Sequence, residues 1–387
     1  MKKTILLLVI SVFTLHSCST DANNSDDDIN SENNPVYLDS NGVTIKAKEW
    51  ADIGDIGEVN GVDYAIVDLA TLTNMISNSQ DITVVCTSKI NDMSFMFDGN
   101  VTFNQSIVSW DVSNVTNMAS MFREVESFNQ PIVDWDVSNV TDMSRMFLRT
   151  SFNQPIGNWD VSSVTNMASM FREVESFNQP IVDWDVSNVT DMSRMLLGTS
   201  FNQPIGNWDV SSVTNMGNMF SSTPFNQPIG NWDVSSVTDM WNMFNSTPFN
   251  QPIGNWDVSN ATGMSNMFGG AQSFNQDLSS WDVGNVIDMY SMFNGAYAFD
   301  QPIGNWNVSN VTDMWGMFRY TETFNQDISN WDVSNVNRMS YMFERNPVIN
   351  QDLSDWDVNN VNECDDFSRN AFQWTLPQPN FTNCNPN

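Results

Sequence analysis

The sequence predicts an α/β solenoid of about eleven coils, each a short strand, a turn and a short helix, behind a small N-terminal α+β cap. Three observations carry this. Trp110, Trp135, Trp159, Trp184, Trp208, Trp232, Trp256, Trp281, Trp306, Trp331 and Trp356 are spaced by 24 or 25 residues without exception, and a period of that length means an array of small stacked units. Within each unit the apolar residues follow two spacings, one extended and one helical. No unit of 24 residues could bury its apolar face alone, so neighbours must stack to form a continuous core.

Taken in chain order, the first element is an address. Residues 1–17 (MKKTILLLVISVFTLHS) carry Lys2 and Lys3, an apolar run from Ile5 to Phe13 and a small residue, Ser17, before Cys18. This is the layout of a signal peptide, too short to cross a bilayer as a helix. Leu15-His16-Ser17-Cys18 resembles the lipobox of bacterial lipoproteins, which implies cleavage before Cys18 and lipidation of its thiol; an ordinary signal peptide with an incidental cysteine is the alternative. Residues 18–35 are polar and acidic, too poor in apolar area to fold, and read as a lipidated tether. The run Asp26-Asp27-Asp28 resembles the surface-export signal of Bacteroidetes lipoproteins, although a solvated linker would look similar.

The cap is expected over residues 36–84. Asn60-Gly61, between alternating apolar runs, signals a two-residue hairpin. Asp68 precedes Leu69, Leu72, Met75 and Ile76, a capping residue ahead of a helical spacing. From Val85 the chain aligns with the repeats, Ile90, Met93, Met96 and Phe97 forming a degenerate first coil.

The repeats are expected over residues 85–361. In the unit FNQPIGNWDVSSVTNMGNMF (201–220), Phe201 and Ile205 share a face at period two, while Val213, Met216, Met219 and Phe220 fit one face of a two-turn helix. A propeller blade needs about 40–50 residues and is excluded by length; a parallel β-helix-like solenoid is the closer competitor. The recurring FNQ(P/D)I...WDVSNVTDMSxMF closely resembles the short repeat of BspA-like leucine-rich-repeat surface proteins of Bacteroidetes type. The resemblance spans roughly residues 36 to 361. It implies a right-handed leucine-rich-repeat-like solenoid on the cell surface, with adhesive or protein-binding roles and no catalytic residue to carry over.

Residues 115–167 match 164–216 at an offset of 49, differing only at Phe147/Leu196 and Arg149/Gly198. Two coils were therefore copied together, and a binding surface extended by repetition tolerates this better than an enzyme built around one pocket. The chain ends in a C-terminal cap, residues 362–387, where Cys364 and Cys384 could pair in an oxidising compartment and leave Cys86 odd.

Composition narrows the function. With 46 acidic and 14 basic residues the formal charge is -32, and loss of Lys2 and Lys3 on cleavage makes it 12 minus 46, or -34. Like charges argue against nucleic acid or an anionic membrane surface as partner. The only histidine, His16, lies in the cleaved segment, which removes Ser-His-Asp and Cys-His nucleophile pairs and the usual catalytic zinc spheres. Carboxylate chemistry is disfavoured because the acids recur in equivalent places, whereas a catalytic pair needs unlike environments.

Several ladders invite a functional reading beside a structural one. The aspartates after each tryptophan, Asp111, Asp136, Asp160, Asp185, Asp209, Asp233, Asp257, Asp282, Asp332 and Asp357, give way only once, to Asn307. They could hold calcium, but turn capping is preferred because Asn307 can do that job uncharged. The FNQ amides, from Asn104 and Gln105 to Asn350 and Gln351 with Asp300 the exception, are expected to form buried ladders. The Asn-Val-Thr triplets, such as Asn139 to Thr141, read as helix starts. The tryptophan row is expected in the core as a structural ladder, since invariant spacing follows from packing; stacking on sugar rings is the alternative.

The better clue to binding lies where the coils differ. After the first Met of each helical segment most coils carry Ala, Ser or Gly, yet three carry Trp241, Tyr290 and Trp315. At the edge of the buried face these rings should be partly exposed, and with Tyr341, Tyr297 and Tyr320 they form a candidate binding patch, plain packing between neighbours being the alternative. The expected function is a non-enzymatic surface lipoprotein anchored in the outer membrane, an adhesin or scaffold for a protein or host-surface component, with no cofactor or metal; a glycan-binding lipoprotein using the exposed rings is the alternative.

Overall fold

The computed structural model describes residues 32–386. The signal peptide, Cys18 and Asp26-Asp27-Asp28 lie outside these residues. Among the described residues from Val36 onward, five strands and one helix build the cap: β1 (Val36–Leu38), β2 (Ile45–Ala47), β3 (Ile56–Val59), β4 (Val62–Ile66), α1 (Leu69–Ser77) and β5 (Val85–Cys86). β1 and β2 pair antiparallel, with Val36 opposite Ala47; β3 and β4 form an antiparallel hairpin, and β5 adds parallel to β4.

Asn60 and Gly61 turn the β3–β4 hairpin with φ of 52° and 80°, the two left-handed residues a type I′ turn requires. Asp68 caps α1 by accepting from the Thr71 N–H at 2.7 Å, relieving one orphan donor of the first turn. Of the apolar residues expected on the inner face of α1, Leu72 is buried and Met75 and Ile76 pack on the core, but Leu69 faces solvent. It occupies the first helical position, ahead of the turn that meets the coils.

Beyond Cys86 the repeats depart from the strand–turn–helix coil. From residue 87 to 386 there is no α-helix, and no strand longer than one bridging residue. The reason lies in the backbone. Two residues per coil have positive φ, two and six positions after the first Met: Ser169 and Glu173 (59° and 58°), Asn218 and Ser222 (57° and 57°), Asn242 and Ser246 (53° and 56°). A left-handed residue every four positions cannot propagate a right-handed helix.

What forms instead is a train of four-residue turns stitched to the neighbouring coil. The Met121 N–H donates to the Met118 carbonyl and the Val125 N–H to the Phe122 carbonyl. The intervening N–H groups of Ser120, Phe122 and Glu124 donate across to Ser144, Met146 and Leu148 of the next coil. The third residue of each turn, Ser120 or Glu124, carries the positive φ, as in a type II turn. The apolar spacing of three that reads as helical is therefore the span from the first to the last residue of a turn, both of which point inward.

The expected strand is absent for a different reason. In FNQP the Asn N–H pairs with a side chain rather than a backbone carbonyl: Asn202 N–H donates to Asn178 Oδ1 at 3.0 Å. Gln203 Nε2 donates to the same oxygen at 3.1 Å, and the following Pro204 has no N–H to give. These amides are exposed or half-buried, a correction to the buried ladder expected from sequence. Asp300 serves Asn325 and Gln326 in the same way.

Successive coils lie in parallel register through an unbroken series of single bridges from Asp92↔Asn117 to Arg338↔Glu363. The Asn-Val-Thr triplets begin no helix; their threonines form a second thread, with Thr141 donating both its N–H (2.8 Å) and its hydroxyl (3.1 Å) to the Thr116 carbonyl. One core cluster runs from Val67 to Phe367. Its phenylalanines stack from coil to coil, Phe122–Phe147 at 5.7 Å and Phe147–Phe171 at 5.6 Å. The column is interrupted at Leu196, one of the two residues that distinguish the duplicated pair. The other, Gly198 in place of Arg149, sits at φ 73°, where Arg149 holds 57°.

The C-terminal end is closed by a disulfide between Cys364 and Cys384. Cys86 is a buried free thiol at the cap–coil junction, and burial pushes its pKa up. Among the described residues no helix is long and apolar enough to cross a membrane.

Candidate binding surface

The eleven regular tryptophans are interior. Trp110 is fully buried, and Trp135, Trp159, Trp184, Trp208, Trp232, Trp256, Trp281, Trp306, Trp331 and Trp356 are each only 3–5% exposed. Their faces are therefore closed to sugar rings, and their regular spacing reflects packing. Within the row Trp232, Trp256, Trp281 and Trp306 lie nearly parallel at 6.5 Å from one to the next, and Trp331 and Trp356 at 6.4 Å. Each indole N–H donates to an isoleucine or leucine carbonyl of the preceding coil, as Trp135 does to Ile107 at 3.2 Å, Trp208 to Ile181 at 3.1 Å and Trp306 to Leu278 at 3.0 Å. At the head of the row Trp110 donates to Ile82 of the cap at 3.1 Å.

The aspartates that follow them are turn caps: Asp209 Oδ1 accepts from the Ser211 N–H (3.1 Å) and hydroxyl (2.7 Å). Asn307 accepts the same pair from Ser309 at 3.2 and 2.8 Å, so the charge is dispensable for this job. Such donors hold the carboxyls of Asp185, Asp233, Asp257 and Asp332 below the usual carboxylate range. Among the described residues no group of three or more His, Cys, Asp or Glu side chains is placed to hold a metal ion.

The irregular rings lie on a turn face rather than on a helix. Trp241, Tyr290 and Trp315, all half-buried, each occupy the second position of the Met turn, where Asp239, Asp288 and Asp313 accept their N–H groups at 3.1, 2.8 and 2.9 Å. Burial raises the carboxyls of Asp239 and Asp288.

Three of the six candidate rings form one contiguous group. Tyr290 and Trp315 stack at 4.8 Å and 10°, and Trp315 meets Tyr341 at 5.2 Å and 57°. Tyr320 joins through a shared cation: the Arg319 guanidinium lies 5.8, 4.9 and 5.1 Å from the rings of Trp315, Tyr320 and Tyr341, within the range of a cation–π contact. Tyr320 and Tyr341 hold left-handed backbone (57° and 62°), unusual for a bulky residue and sustained by their N–H bonds to the carbonyls of Glu344 and Asp365 in the next coil. Trp241 stands apart; its indole fills the space a side chain at Gly217 would take, and Arg194 covers it at 4.8 Å. Tyr297 is exposed and touches none of the other rings.

Sequence reasoning missed the charged half of this surface. Arg338 bonds Asp313 at 2.5 Å and Glu363 at 2.9 Å and lies 6.0 Å from the Tyr290 ring. Glu344, fully buried, is bound by both Arg319 and Arg369. Arg338 departs from the Asp or Asn that most coils carry before the first Met, whereas Arg319, Glu344 and Arg369 stand five after it (after Cys364 in the last coil) in a column that varies from coil to coil. The result is an aromatic and guanidinium strip along the C-terminal coils.

Comparison with known proteins finds one family. The family described as "Mycoplasma protein of unknown function, DUF285" matches residues 68–151, 149–224, 221–319 and 297–383, and so overlaps α1, the coils and the C-terminal end. No curated protein and no solved structure matches.

Proposed function

We propose, from the premise that this chain belongs to the DUF285 family, that it is a non-enzymatic binding scaffold, a solenoid of stacked coils that engages a protein partner through the strip around Tyr290, Trp315 and Tyr341. One observation carries this reading: interior positions repeat almost without change, while departures at several neighbouring turn positions place half-buried rings and guanidinium groups side by side. Aromatic and arginine side chains are the residues that most often dominate protein interfaces. The lipobox-like Cys18 and the acidic tether add that the scaffold is displayed on a cell surface as a lipid-anchored adhesin. A glycan platform is the weaker reading, because the ring faces it would use are already taken by one another and by Arg194 and Arg319.

The test is capture of partner proteins or host cells by intact cells carrying the full chain, against the Tyr290→Ala/Trp315→Ala/Tyr341→Ala variant. Capture is expected to fall at least tenfold at unchanged surface amount. Undiminished capture, or protection of the chain from protease added to intact cells, counts against the proposal.

A further inference from the structure

Four rows of peptide groups run the length of the coils, each joined end to end by hydrogen bonds. In the first, the Met93 N–H donates to the Asn117 carbonyl, the Met118 N–H of that same peptide group to Asp142, and so on until Met339 reaches Glu363. The rows that start at Phe95, Phe97 and Gly99 end in the same way at the carbonyls of Asp365, Phe367 and Arg369, each after eleven bonds. In all four the N–H groups point toward the C-terminal coil, so their dipoles add and the positive pole lies there. The threonine thread runs the other way.

At the last coil the rows end in N–H groups. Cys364, Asp366, Ser368 and Asn370 stand where Met339, Tyr341, Phe343 and Arg345 stand one coil earlier, but among the described residues their N–H groups meet no acceptor. The tail that follows reaches this segment through the Cys364–Cys384 disulfide and a 2.9 Å bond from the Ser368 hydroxyl to Gln378. It otherwise closes the far side of the coil, where Pro377 accepts from Leu353. Cys364 is buried, Asp366 and Ser368 are half-buried and Asn370 is exposed, so three donors at alternate residues line an open edge. Two side chains flank it. Arg369, its side chain 48% exposed, is the last member of the column Arg319, Glu344 and Arg369, in which the charges alternate and bond. Phe372, two residues past Asn370, is 81% exposed.

We propose that this edge receives a segment of a protein partner as one further rung. Alternate carbonyls of the segment accept the N–H groups of Asp366, Ser368 and Asn370, an acidic side chain faces Arg369, and an apolar one covers Phe372. An unpaired edge is a template for main-chain pairing by another chain; the pairing supplies affinity and the flanking side chains select the partner. The positive pole of the rows and the Arg369 guanidinium both favour an acidic, acceptor-bearing segment. The same end of a second copy cannot serve, because donors would face donors. This surface goes beyond the ring strip at Tyr290, Trp315 and Tyr341 and does not depend on it.

The probe is a blocked peptide with the sequence of residues 92–101, DMSFMFDGNV, added to the full chain and followed by the amide NMR shifts of Asp366, Ser368 and Asn370. In the register of the other coils its Ser94, Met96 and Asp98 carbonyls meet those three N–H groups, with Asp98 beside Arg369 and Val101 beside Phe372. In the chain alone, hydrogen exchange at the three amides is expected to be far faster than at Tyr341, Phe343 and Arg345, which are bonded to the last coil. The peptide should then bind saturably, and its Asp98→Lys version roughly tenfold more weakly, as for one lost bond to a charged group. Ser368→Pro removes a donor that the fold does not use and should weaken binding several-fold, whereas Ser368→Ala, which keeps the N–H, should not. Slow exchange at the three amides in the chain alone, no saturable shift, or equal binding of the two peptides overturns the proposal. So does self-association of the chain that Ser368→Pro abolishes, since the occupant would then be a second copy. If the peptide fails while capture still depends on the three rings, the edge is refuted and the scaffold reading stands.

Discussion

Truncation of Trp208 to alanine is expected to cost about 3–5 kcal/mol, the range for deleting a large aromatic from a packed core. The indole is 4% exposed, and its N–H is bonded to the Ile181 carbonyl. The variant therefore leaves a cavity and also orphans a buried acceptor, itself worth roughly 1–3 kcal/mol. Each coil contacts only its neighbours, so the loss should appear as local opening rather than uniform weakening. Amide hydrogen exchange should accelerate in the coils on either side, near residues 181–232, and remain slow in the last coils. A loss under about 1 kcal/mol would place the tryptophan row outside the core, given the magnitudes for core truncation.

The second large effect concerns Glu344. Its carboxylate is fully buried and is bound by Arg319 and Arg369, with Arg345 at 3.9 Å, too far for a hydrogen bond. Replacing Arg319 and Arg369 together by Met should cost about 3 kcal/mol, the lower end for stranding a buried charge, because both guanidinium groups are partly in water and their own desolvation is small. Adding Glu344→Leu to that pair removes the stranded charge and should restore most of the loss. Urea unfolding of the double and triple variants checks this; equal stability of the two would mean that Glu344 is hydrated and the network is ornamental.

The repeat period, the interior tryptophans, the capped helix and the Asn60-Gly61 turn were legible in the sequence because each follows from a local rule. The conformation of the coil was not. Val213, Met216, Met219 and Phe220 have the same spacing whether they line a helix or stand at the corners of successive turns. What decides between them is the left-handed backbone at Asn218 and Ser222. Ser, Asn, Glu, Arg and Tyr all occupy those two columns in one coil or another, with Gly at only a few, so composition carried little of the glycine signal that usually marks positive φ. The strand was equally hidden, since an Asn side chain stands in for the carbonyl that would have defined it.

Of the candidate surface, the sequence located the rings and missed their partners. Trp241, Tyr290 and Trp315 break a column of small residues, and so announce themselves. Arg319 and Glu344 stand in a column that varies from coil to coil, and their significance, like that of Arg338, appears only when coils are placed in register.

The tryptophans that keep the period form the interior, and the outward face is written by residues that break it. The chain has fifteen tryptophans; eleven are in the buried row from Trp110 to Trp356, leaving Trp50, Trp241, Trp315 and Trp374 with access to solvent. Acrylamide quenching of the native chain tests this division directly. Strongly curved quenching is expected, with a small accessible fraction that shrinks further in Trp241→Phe and Trp315→Phe, and full access only after unfolding. Uniform quenching of all the indoles in the native state would contradict it.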